Sequence, residues 1–131
     1  MTWPRILSVS ALLLFATTTV TQGAGRLTPL VVGGEQYFKL DWEAGAVAGR
    51  PEVHGHILNE FGHAARRIRL LVDGLDPSGA VTSQTLVYVP GDLTPGARYY
   101  FATPVPAPAA SYRVLVFQWE WIQAGGGDSR G

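Results

Sequence analysis

Residues 38–43 read Phe38-Lys39-Leu40-Asp41-Trp42-Glu43. Apolar and charged side chains alternate with period two, which predicts a strand with one face in a core and the other in water. Glycines 45 and 49 with Pro51 are expected to end it. The same alternation recurs downstream, where Val53, Gly55 and Ile57 interleave with His54, His56 and Leu58. It returns in Ala64 to Leu75, where Ile68, Leu70 and Val72 stand opposite Arg67, Arg69, Leu71 and Asp73. Val81 to Val89 is rich in Thr, Val and Tyr, Arg98 to Thr103 reads as a fifth strand, and Ser111 to Gln123 is the longest run. Asp76-Pro77-Ser78-Gly79 and Leu93-Thr94-Pro95-Gly96 carry turn residues, with Pro95 and Gly96 in structural roles. No apolar stripe of helical period follows residue 25. About six or seven short strands between regular turns predict an all-β chain, an antiparallel β-sandwich over residues 35–123, with a barrel as the competing architecture.

The first residues read differently. One basic residue, Arg5, precedes the apolar or small run Ile6 to Val20, and small residues follow up to Gly25. That is the layout of a signal-peptide helix over residues 1–24, with a lead-in at 25–34 and a Gly-rich tail at 124–131. The apolar run is shorter than the roughly 20 residues that span a bilayer, so membrane association is expected only if the leader is uncleaved. The expected location is periplasmic or extracellular. The chain has 131 residues and no cysteine, so neither a disulfide framework nor a lipoprotein anchor is available. Ten basic and ten acidic residues leave no positive excess for nucleic acid, and the apolar content of 47 % argues against disorder.

With those turns and strands in hand, a resemblance emerges. His54-Gly55-His56-Ile57-Leu58-Asn59 and Ala65 to Asp73 resemble the G-x-V-x-N and V-x-V-x-V-x-D run of bacterial FxLYD-type immunoglobulin-like domains. Leu93-Thr94-Pro95-Gly96 through Phe101 is similar to their L-x-P-G-x-x-x-x-F segment, and Tyr112 to Val116 to their closing Y-x-V-x-V strand. Leu70-Leu71-Val72-Asp73 keeps the aspartate of the naming motif but not its Phe or Tyr. The resemblance, over residues 51–118, implies an exported immunoglobulin-like module with no shared catalytic residues. It also implies that the Tyr112 hydroxyl ties down the connection before the last strand.

No nucleophile elbow, zinc-protease helix or phosphate loop occurs in the chain, so catalysis is not expected. Two groups of residues remain as candidate sites. If Tyr112, Val114 and Val116 face the core, then Leu115, Phe117, Trp119 and Trp121 line the opposite face. Such a row would dock an unknown protein or envelope component, stack on a carbohydrate, or pair two copies into a homodimer. A bulge near Gln118, or cover from the lead-in, would instead place part of this row inside. The second group is His54, His56 and His63: a hairpin through residues 59–62 would return His63 beside the other two and make a zinc or copper site. Solvated, unliganded histidines are the alternative. Arg66, Arg67 and Arg69 read as a solvated strand face, and Asp73 and Asp76 as turn formers rather than a calcium loop.

Overall fold

The computed structural model describes residues 26–123, so the leader and the tail lie outside the described residues. Among the described residues a 3₁₀ turn at Gly34–Gln36 is followed by six strands: β1 (Phe38–Val47), β2 (Arg50–Asn59), β3 (Ala65–Leu75), β4 (Val81–Val89), β5 (Arg98–Pro104) and β6 (Ser111–Trp121). They form two three-stranded antiparallel sheets, ordered β1-β2-β5 and β4-β3-β6. Their facing side chains make one core, with Val53, Ile57 and Phe101 from the first sheet against Ile68, Leu70, Val72, Val114 and Val116 from the second. Each such large side chain contributes about 1.5–3 kcal/mol by leaving water.

The first hairpin is longer than its glycines suggest. β1 continues through Gly45 to Val47, and β2 already includes Pro51. Ala48 and Gly49, both at positive φ (52° and 79°), form the two-residue turn that a twisted hairpin needs. Proline is tolerated at the end of the β2–β5 ladder, where on that side only its carbonyl is bonded, accepting from the Val105 amide at 3.1 Å. At the other turns the expected residues act as read. Pro95 and Gly96 shape a turn closed by the Ala97 amide donating to the Thr94 carbonyl at 2.9 Å, with Gly96 at φ 81°. The Tyr112 hydroxyl donates to the Ala107 carbonyl at 3.0 Å and ties down the connection between β5 and β6.

The register of β3 against β6 changes twice within five residues. Arg66 faces Glu120, Arg69 faces Gln118 and Leu70 faces Val116. Two residues of β3, Arg67 and Ile68, therefore stand opposite Trp119 alone, and Phe117 of β6 has no partner. Arg67 takes the left-handed conformation, φ 51°, at the first bulge. The two bulges cancel in register, but between them they rotate both strand ends by one residue. Ala65, Trp119 and Trp121 turn toward the core, while Arg66 and Glu120 turn to water and pair at 3.3 Å.

Candidate functional site

The expected aromatic row is corrected by that rotation. Trp119 is 7 % exposed and meets Phe38 edge-on, and Trp121 stacks on the same ring at 5.5 Å. Tyr37 and Phe61 complete an aromatic cluster at this end of the sandwich. Neither indole is presented on an outer face as a sugar platform would require. Leu115 and Phe117 do remain on the outer side of the β4-β3-β6 sheet, where Leu115 pairs with Leu71. Phe117 is nonetheless buried, at 5 % exposure.

The lead-in accounts for that cover. The Leu27 amide donates to Gln84 Oε1 at 2.8 Å on β4, and Gln84 Nε2 donates back to the Leu27 carbonyl at 2.9 Å. Three residues on, the Leu30 amide donates to the carbonyl of the bulged Phe117 at 2.8 Å. The segment thus crosses the outer face from Gln84 of β4 to Phe117 of β6, and between them Leu71 of β3 is fully buried. It then rounds the edge of β6 through Gly33, φ 92°. Gly34 follows, packed so closely on β6 that a Cβ there would lie 2.9 Å from that of Val116. Only glycine allows the chain to turn this tightly into β1.

Between the lead-in, β1 and β6 this path leaves an open cleft of ≈ 430 Å³. Its walls are apolar: Pro29, Val31 and Val32 on one side, Leu40 and Trp42 on another, and Leu115 on β6, with Glu35 at the rim. Trp42 Nε1 donates to the Tyr112 carbonyl at 3.0 Å, which anchors the far end. Between that anchor and the Phe117 carbonyl, the outward backbone groups of residues 113–116 have no backbone partner among the described residues. Among the described residues the outer edge of β1 likewise has no backbone partner there. Period-two reading could not find this site, because it is made by the path of a segment without periodicity.

The histidines do not assemble as expected. On the outer face of β1-β2-β5, His54 lies between Glu43 (Nε2 to Oε1, 3.3 Å) and Glu52 (Nδ1 to Oε2, 3.2 Å). His56 Nδ1 is 3.3 Å from Asp41 Oδ1, and its ring meets Tyr100. His63 stands beyond Asn59, in the connection that crosses to the other sheet, where its backbone carbonyl accepts from Asn59 Nδ2 at 2.9 Å. Residues 59–62 therefore lead away from β2 rather than folding back along it. Among the described residues no three His, Asp or Glu side chains are arranged to hold a metal ion, so the three-nitrogen zinc or copper set does not form.

Two polar contacts escaped the sequence reading. Buried Asn59 donates to the carbonyls of His63 and Leu93, both at 2.9 Å, and accepts from the Phe61 amide at 2.8 Å. It fastens the crossover between sheets to the Pro95 turn. Asp73, expected to form a turn, lies instead buried within β3, where it accepts from Arg113 Nη2 at 2.8 Å and Gln84 Nε2 at 3.0 Å and links β3, β6 and β4.

No protein-family model and no curated protein matches the sequence. The X-ray structure of Northeast Structural Genomics Consortium target SoR45 aligns over 72 % of this chain and 89 % of that one, with 9 % identity and a TM-score of 0.32.

Proposed function

We propose that this chain is an exported, non-catalytic, immunoglobulin-like module that binds an extended apolar segment of a protein partner in the cleft between β1 and β6. The strand order, with three strands facing three, supports the immunoglobulin-like reading, as does the Tyr112 hydroxyl bonded to backbone five residues upstream, a tie that the fold makes at its penultimate strand and that here lies at the start of the last one, β6. Export rests on the leader pattern of residues 1–24. The observation that carries the binding role is the free stretch of β6 between its two anchors, set beside apolar walls. An added strand would gain main-chain hydrogen bonds from that edge and specificity from side chains seated against Leu40, Trp42 and Leu115.

Panning a random peptide library against the purified protein tests this. The expected result is enrichment of peptides with alternating apolar residues whose binding is lost in Leu115→Glu. Enriched peptides that bind Leu115→Glu as well as the parent, or no enrichment at all, would overturn it.

A further inference from the structure

The four sheet edges are protected very unequally. β1 carries Lys39, Asp41 and Glu43 on its outer face, β5 is seven residues long and ends at Pro104, and β6 is bulged at Phe117 and bonded there by the lead-in. Charges, prolines, bulges and cover are the devices that keep sheet edges from pairing. From Ser83 to Val89, a run of Ser-Gln-Thr-Leu-Val-Tyr-Val, β4 has no charge, proline or register shift, and the lead-in bonds it through the Gln84 side chain and not through its edge backbone. Its backbone pairs with β3 on one side, and among the described residues its other side has no backbone partner. Leu86 and Tyr88 project from its outer face at 40 % and 68 % exposure.

We infer that this edge joins two copies of the chain through an antiparallel β4–β4 pair. An antiparallel strand pair has a twofold axis perpendicular to the sheet, so one edge is complementary to itself. That axis keeps outer faces together, so Leu86, Gln84 and Tyr88 meet outer-face residues of the other copy. Full overlap of the regular run sets Leu86 opposite Leu86 of the second copy, flanked by Gln84 against Tyr88. No charged side chain meets another across this register, and the balanced composition of ten basic and ten acidic residues leaves no net repulsion between copies. The pair would make one six-stranded sheet from two three-stranded ones.

The test uses the full-length chain, expressed with its own leader and purified in the form the cell accumulates. Sedimentation equilibrium should show the mass doubling with concentration, and Leu86→Lys, which sets two lysines face to face, should remain monomeric with unchanged tryptophan emission. The chain has no cysteine, so Leu86→Cys introduces a single thiol. Side chains directly opposite across a strand pair lie roughly 4.5–5.5 Å apart at Cβ, and mild oxidation should crosslink this variant to itself, whereas Thr94→Cys should stay uncrosslinked. A monomer at every concentration, or a dimer that neither responds to Leu86→Lys nor crosslinks through position 86, would overturn the inference. So would Leu86→Cys trapping another protein and never itself.

Discussion

The indole of Trp119 and the ring of Phe38 meet edge-on with centroids 5.4 Å apart, joining the last strand to the first across the interior. The contact exists because Phe117 is bulged out of the β3–β6 ladder. Trp119→Ala should therefore cost about 3–5 kcal/mol in urea unfolding, as expected for removing a large core aromatic. Acrylamide should quench Trp119 weakly. A loss under about 1 kcal/mol would place the indole outside the core.

Asp73 is buried and Arg113 reaches it from a half-exposed position. Arg113→Ala leaves the carboxylate with only Gln84 as a side-chain partner. Leaving a buried charged acceptor short of a donor should lower stability by about 1–3 kcal/mol. Arg66→Ala, which breaks an exposed ion pair with Glu120, should cost under about 1 kcal/mol in the same assay. Equal losses in the two variants would contradict the difference in burial.

The turn after β3 should report on pH. The Ser78 hydroxyl donates to Asp76 Oδ1 at 2.7 Å and, with the Ala80 amide, holds the Asp76 carboxyl below the ordinary carboxylate range. A lowered folded value means that the turn gains its stabilisation above the unfolded pKa of about 3.9 and loses it as pH falls through the folded value. Carboxyl chemical shifts should place the Asp76 midpoint below that of a free aspartate, and Ser78→Ala should move it upward. An unchanged midpoint in Ser78→Ala would remove the hydroxyl as the cause.

Tyr112→Phe deletes the bond to Ala107 while keeping the ring against the core. The expected loss is about 0.5–1.5 kcal/mol, with faster amide exchange in the connection between β5 and β6. Unaltered exchange there would mean that the hydroxyl does not hold the connection.

Most strands were legible because a half-buried strand writes its two faces into alternate residues. Ile68, Leu70 and Val72 alternate in β3 and share the face that packs in the core. The reading failed where backbone geometry departs from period two without a residue that announces it. Arg67 takes a conformation usually left to Gly or Asn, and nothing in Arg66-Arg67-Ile68 signals it. Pro51 and Gly45 look like strand breakers, yet they sit near a hairpin tip where a missing donor or side chain matters little. The cleft was illegible for another reason: Leu27 to Gly34 has no repeating pattern, and its position is fixed by hydrogen bonds from Leu27 to Gln84 and from Leu30 to Phe117, far away in sequence.

The binding role of the cleft is tested most directly by photo-crosslinking in the cells that make the protein. A photoreactive residue placed at Leu115 or Val32 should give a discrete adduct with another protein. The same residue at Glu120, on the surface away from the cleft, should give none. Adducts from Glu120 equal to those from Leu115, or none from either cleft position, would contradict the account.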